Sequence, residues 1–250
     1  GYVYTQQTLV RILTVTGGIR AEHNSVWGGQ WIPTAGVAVS PTNRTTFKAT
    51  VAKGFRSPTI MEMYLYAPNP QLKPEQMVSY ELSWLQQLLN NRLKLELTAY
   101  TANGKNLIQV AGIPPNMKRQ NLGTFANKGI EFSANYFPIN NLHLHANYSY
   151  LHQEKITLAA PRQQFNVNGN YTYKIWTFFT GLQYIDKLYS NLNPEILNSY
   201  ALLNARVGVT PFKKISLFVA GNNLLDRKYE INYGYPMPGI NVSGGITIRF

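Results

Sequence analysis

Apolar and polar residues alternate with a period of two along most of this chain. In RLKLELTAY, Leu93, Leu95, Leu97 and Ala99 fall on one side, and Lys94, Glu96 and Thr98 on the other. In LHLHANYSY, Leu142, Leu144, Ala146 and Tyr148 oppose His143, His145, Asn147 and Ser149. GIEFSANY sets Ile130, Phe132, Ala134 and Tyr136 against Glu131, Ser133 and Asn135. ALLNARVGV and KISLFVAG read the same way, with Arg206 and Asn204 opposite Leu203, Ala205 and Val207. Near the start, Leu13, Val15 and Ile19 oppose Thr14, Thr16 and Arg20. Successive side chains of a strand point to opposite faces, so this pattern predicts strands with one apolar and one polar face. The closing GGITIRF continues it, with Ile246, Ile248 and Phe250 against Thr247 and Arg249. Helical spacing is confined to SPTIMEMY, which predicts a short helix ending at Tyr64, with Ser57 as N-cap and Pro58 at the first helical position.

The connections alternate in length. Val10-Arg11, Pro41 to Thr45, Asn90-Asn91, Pro138 to Asn141, Lys174 and Pro211 to Lys213 read as short turns. Between them lie longer connections: Asn24 to Gln30, Arg56 to Gln76, Ala111 to Met117, Gln153 to Pro161, Lys187 to Asn198 and Leu224 to Gly239. Every second connection of an up-and-down sheet lies on the same rim. One rim is therefore expected to carry tight turns and the other long loops, the asymmetry of outer-membrane barrels.

Composition sharpens this. Charged residues are 14% of the 250, against about 25% in ordinary soluble domains. No run is apolar enough for a spanning helix. A transmembrane β-barrel escapes a hydropathy scan because only alternate residues meet lipid. The expected fold is all-β: an antiparallel up-and-down transmembrane β-barrel of about 13 strands, long enough to cross a bilayer when tilted. Aromatics, 13% of the chain with 17 Tyr, suit the interfacial girdles of such a barrel. There are no cysteines, hence no disulfide framework and no thiolate metal site. The formal charge is +12, but the basic residues are scattered singly rather than clustered in a nucleic-acid module, so no nucleic-acid partner is expected. Gly1 to Val10 has neither the basic nor the apolar region of a signal peptide.

Four blocks then resemble a known family. AKGFRSPTIMEMY (Ala52 to Tyr64) with NPQLKPE (Asn69 to Glu75), ANKGIEFSANY (Ala126 to Tyr136), and the tail GNNLLDRKYEINYGYPMPGINVSGGITIRF (Gly221 to Phe250) resemble TonB-dependent outer-membrane receptors in order and spacing. The resemblance covers nearly the whole chain. It implies a bacterial outer-membrane barrel of about 22 strands around an N-terminal plug, importing ferric siderophores, cobalamin or haem with energy from the TonB complex. It also implies that Ile246, Ile248 and Phe250 form a terminal signal for the barrel-assembly machinery. About 13 strands, with no plug or TonB box, match residues 1–250 to the C-terminal part of such a barrel.

The resemblance places ligand contacts on the external loops. The candidates are Arg56, Tyr64 and Tyr66; Lys118 and Arg119; Tyr189 and Asn191, beside Lys187; and Arg227, Tyr233 and Tyr235, beside Tyr229. Tyr and Arg suit an oxygen-rich anionic chelate because they stack and hydrogen-bond. The competing roles are an interfacial girdle for the tyrosines and lipopolysaccharide phosphates for the arginines. FRSP and NPQL resemble the boxes flanking the haem-ligand loop of haem receptors, but TIMEMYLYAP between them has no His, which favours siderophore or cobalamin. Met61 and Met63 raise a copper reading, set against packing among loops. His143 and His145 share a strand face as half a metal site, or as polar residues lining a lumen. Arg20, Lys94, Glu96, Glu131, Arg206 and Arg249 also fall on that face, with a positive balance that suits anionic ligands. No cofactor and no catalysis are expected: an outer-membrane lipase needs a Ser–His pair on the outer wall, whereas Ser149 shares the polar face. A complete small barrel, acting as a passive pore or translocator, is the alternative function.

Overall fold

The computed structural model describes residues 1–112, 115–192 and 195–249. Its strands are β1 (Tyr2–Val10), β2 (Leu13–Asn24), β3 (Gly28–Thr42), β4 (Thr45–Arg56), β5 (Glu75–Leu88), β6 (Leu93–Lys105), β7 (Ile108–Ala111), β8 (Lys118–Asn121) and β9 (Thr124–Ile139). They continue as β10 (Leu142–Gln153), β11 (Gln163–Tyr173), β12 (Trp176–Leu192), β13 (Glu195–Phe212), β14 (Ile215–Asn222) and β15 (Asn241–Ile248). One helix, α1 (Ile60–Tyr64), lies between β4 and β5. Thirteen strands form one sheet in chain order, as the alternation predicts, and β7 pairs with β8 in a separate two-stranded sheet.

The chain divides into two compact units, one of Gly1–Trp84, Thr98–Gly129 and Gln153–Lys155, the other of Leu85–Leu97, Ile130–His152 and Ile156–Phe250. In the first unit, Val15 pairs with Val37, Ala35 with Val51, and Val39 with Phe47. Val15, Val37, Phe47 and Val51 are exposed on this apolar face. Thr14, Thr16, Thr50 and Lys48 take the other. A groove of about 900 Å³ runs along the apolar face beside Val15, Val37, Val51 and Leu82.

The second unit shows the same division over more strands. One face carries the rows Tyr148–Phe165–Tyr184–Ala201 and Ala146–Val167–Leu182–Leu203. Below them lie Tyr171–Phe178–Val207–Val219 and Tyr173–Trp176–Val209–Leu217–Ile246. The opposite face carries His143–Asn170, His145–Asn168 and Asn147–Asn166–Gln183, then Phe179–Arg206–Ala220. A face this apolar is left exposed only where something other than water covers it, and Phe165, Leu182, Tyr184, Val207 and Val219 are all exposed. Ile246 and Ile248, predicted for the apolar face, are there and exposed, at 67% and 57%; Phe250 lies outside the described residues.

Two-residue turns join β1 to β2, β3 to β4, β11 to β12 and β13 to β14, closed by the pairs Val10–Leu13, Thr42–Thr45, Tyr173–Trp176 and Phe212–Ile215. Lys174 at φ 53°, and Asn90 and Asn91 at 53° and 67°, take the left-handed conformation that tight hairpins demand. Several expected loops are corrected. Asn24 to Gln30 shrinks to the three residues between β2 and β3. Lys187 to Asn198 is mostly strand, because β12 and β13 run on to Leu192 and from Glu195. The connection after β6 contains the β7–β8 hairpin, so Lys118 and Arg119 sit on a strand. The helix starts later than predicted. Thr59 is its N-cap, closing a capping box with Glu62, and Ser57 and Pro58 precede it. The box wins because the Thr59 hydroxyl accepts from Glu62 N while Glu62 accepts from Thr59 N.

Candidate ligand-binding loops

In the first unit the segment 57–74 is an ordered strap. Met63 and Leu72 are buried with Ile108 of β7, and Trp27 packs on them. Four small anchors hold the strap to β8. Arg119 N donates to Ala67 O at 2.8 Å, and Asn69 Nδ2 donates to Arg119 O at 2.7 Å. Lys73 N donates to Asn121 Oδ1, and Asn121 Nδ2 returns a bond to Lys73 O, both 2.8 Å.

Arg56, at the end of β4, closes the base of this strap. Its Nε and Nη2 donate to the two oxygens of Glu75 at 2.8 and 2.7 Å, and Nη1 and Nη2 reach Glu62 at 3.0 and 3.2 Å. Glu75 also accepts from Ile108 N at 2.8 Å. Burial pushes the Glu62 carboxyl up, but the Arg56 hydrogen bond, Thr59 N and the Arg56 charge outweigh it and hold Glu62 below its ordinary value. Arg119 Nη1 lies 3.9 Å from Glu62, and its guanidinium sits 5.7 Å from the centre of the Tyr66 ring. The arginines Arg56 and Arg119 thus face carboxylates and the strap itself. Tyr64 and Tyr66 are exposed, as are Ile60, Met61 and Leu65. Lys118 is exposed on β8. The two methionines are not brought together: Met61 faces solvent at 57% exposure and Met63 is buried at 3%.

In the second unit the segment 223–240 folds onto the β12–β13 hairpin. Asn223, 4% exposed and at φ 49°, ties the segment together. Its Nδ2 donates to Arg227 O and Pro238 O at 2.8 and 3.1 Å, and its Oδ1 accepts from Arg227 N at 2.9 Å. Tyr229 packs on Tyr200 with ring centres 4.4 Å apart and planes tilted by 37°, over a cluster of Ile185, Leu188 and Leu202. Tyr233 N donates to Ser190 O, and Asn198 Nδ2 donates to Glu230 O. Glu230 bridges to Pro236 and accepts from Gly234 N, and this tip presents Tyr233 and Tyr235 at 58% and 74% exposure. Arg227 is anchored by its backbone while its side chain is exposed. Tyr189 and Asn191 lie on β12 opposite Leu197 and Ile196. Further down the polar face of this unit, Asn170, Asn204, Arg206 and Asn222 line a hollow of about 530 Å³.

The sequence reading singled out neither Glu62, Glu75, Asn121 nor Asn223. The T-x-x-E spacing from Thr59 was a usable signal for Glu62. The other three make contacts that no local pattern announces.

Residues 2–224 match the family model described as TonB dependent receptor-like, beta-barrel. The chain belongs to this family. It is therefore an outer-membrane β-barrel sequence, and the exposed apolar faces are the surfaces that meet lipid. A vitamin B12 transporter of Vibrio cholerae is 26% identical over 230 residues, covering 88% of this chain and 35% of the relative. An iron-regulated outer membrane virulence protein of the same species is 24% identical across the whole chain, which spans 44% of it. In fold, the chain matches the ferric enterobactin receptor of Pseudomonas aeruginosa with TM-score 0.86 at 18% identity, over 99% of this chain and 44% of the receptor. A siderophore receptor of Acinetobacter baumannii matches with TM-score 0.84 at 18% identity, over 100% and 45%. The chain thus spans less than half the length of these relatives.

Proposed function

We propose that residues 1–250 are the C-terminal part of the barrel of a receptor that takes up a scarce, bulky ligand through TonB-energised import. The ligand class is a ferric siderophore or cobalamin. The observation that carries this reading is the pair of ordered loop structures. Each is anchored by its own buried side chains; one presents the aromatic groups Tyr64 and Tyr66 outward, and the other presents Arg227 with Tyr233 and Tyr235. Anchoring of this kind pre-organises a surface, which lowers the ordering cost of binding a large ligand. The relatives named for vitamin B12 and for iron-regulated expression support both ligand classes. A plug domain and its contact with the TonB complex would come from the remainder of the receptor, and the polar face of each unit would line the lumen. Assembly by the barrel-assembly machinery through Ile246, Ile248 and Phe250, and contact of the outer rim with lipopolysaccharide, belong to the same reading.

The test is growth of cells carrying the complete receptor as the sole route for one nutrient, either a ferric siderophore or cobalamin, with and without TonB. Growth on one of them that requires TonB, and falls at least tenfold in efficiency with Tyr233→Ala and Tyr235→Ala combined, is the expected result. TonB-independent entry of small solutes would instead make the protein a passive pore.

A further inference from the structure

We infer that the polar face of the second unit holds a divalent transition-metal site made by His143, His145 and Asn135. His143 and His145 stand two apart on β10, so both rings project from the same face. Asn135 comes from β9, joined to β10 by a tight turn. His143 Nε2 and His145 Nδ1 both lie 3.1 Å from one atom, Asn135 Oδ1. Three donor atoms therefore converge, although among the described residues no cluster of three His, Cys, Asp or Glu is assembled. The third donor is an amide oxygen.

Two of the three edges fit an ion. With metal–ligand bonds of about 2.1 Å, ligands at right angles lie about 3.0 Å apart, close to the two 3.1 Å edges present. Imidazole donors with one oxygen suit Cu²⁺, Ni²⁺ or Zn²⁺, with water in the remaining positions, and Cu²⁺ leads this series. The supports around the site are ordered as well. Phe137 stacks on the His143 ring at 4.4 Å and 6°, which fixes its plane. Asn147 Nδ2 lies 3.4 Å from His145 Nε2, and Asn147 Oδ1 accepts from Asn166 Nδ2 at 2.8 Å.

The tautomer that satisfies both contacts without metal has the His145 hydrogen on Nδ1, facing Asn135, with Nε2 accepting from Asn147. Each ring would bind the ion through the nitrogen that faces Asn135, with its hydrogen on the other ring nitrogen. His145 Nε2 then becomes a donor, and the Asn147 and Asn166 amides turn together, so that Asn147 Oδ1 accepts from His145 and Asn147 Nδ2 donates to Asn166 Oδ1. Asn147 is a positioning residue of the kind that orients metal-bound histidines. The site depends on no reading of what the loops bind, since it uses none of their residues.

The experiment is Cu²⁺ titration of the full receptor chain, extracted from outer membranes in detergent and followed by electron paramagnetic resonance. One tightly bound Cu²⁺ with hyperfine coupling to two nitrogens is expected. His143→Ala and His145→Ala should each weaken binding more than tenfold, and Asn135→Ala about tenfold. His23→Ala and His152→Ala should leave binding unchanged. Circular dichroism and heat-modifiable gel migration check that the variants are folded. The two-nitrogen signature of the unaltered protein needs no variant, so a misfolded variant does not shield the proposal. Absence of a two-nitrogen signal, or equal binding by the His143→Ala/His145→Ala double variant, overturns it.

Discussion

Asn223 shows how much one side chain can hold. It is buried, sits in a left-handed conformation, and makes three hydrogen bonds that span the last loop from Arg227 to Pro238. Asn tolerates that backbone conformation better than most residues, and its amide supplies donors and an acceptor together. Asn223→Ala leaves two carbonyls and one N–H without partners, at about 1–3 kcal/mol each where they remain buried. The expected outcome is a loop that is cleaved within 224–240 by limited proteolysis while the strands stay protected. Asn223→Asp, which keeps the acceptor and loses the donors, should fall between Ala and the native residue in the same assay.

At the scale of the element, the strap 57–74 is held by Arg56 between Glu62 and Glu75. Arg56→Ala leaves two mostly buried carboxylates facing each other. Because Arg56 is 45% exposed, the loss is set at about 1–3 kcal/mol rather than that of a fully buried pair. Amide hydrogen exchange across 57–74 should rise accordingly, with strands β3 and β4 unchanged. The same element predicts a pH dependence. Glu62 is held below its ordinary value of 4.5 in the folded strap. Its contribution is therefore complete above pH 4.5 and disappears as the pH falls through the lower folded value. Exchange protection of the strap should be flat from neutral pH down to about 4.5 and then decline. Glu62→Gln should reduce that decline to the part contributed by Glu75, which, against the push of burial, the Arg56 hydrogen bond and charge also hold below its ordinary value.

At the scale of the whole molecule, the controlling fact is that each unit has one apolar and one polar face. Leu182 and Val207 lie on the exposed apolar rows of β12 and β13, and Asn168 lies on the polar face. Leu182→Arg should destabilise the barrel in a bilayer by about 2–4 kcal/mol, as charges on the lipid face do near the midplane. Asn168→Ala should cost less than about 1 kcal/mol, because polar-face positions keep access to water. Denaturant unfolding from lipid vesicles, comparing the two, checks the assignment of faces. Equal effects would overturn it.

The sequence by itself determined the strands, their faces and most of the tight turns. These depend on backbone period and on turn residues such as Asn90, Asn91 and Lys174, which are local properties. It also carried the family, through blocks whose order and spacing are written in the chain. The tertiary structure alone decided what the loop residues do. Arg56 reads as a free cation until Glu75, 19 residues away, is placed against it. Asn69 reaches Arg119 across 50 residues, and His143 and His145 meet Asn135 only because β9 and β10 bring them together. Such contacts repeat with no period, and loop backbones have no ladder to fix them. Their partners are therefore chosen by packing, after the strands have set where the loop ends stand.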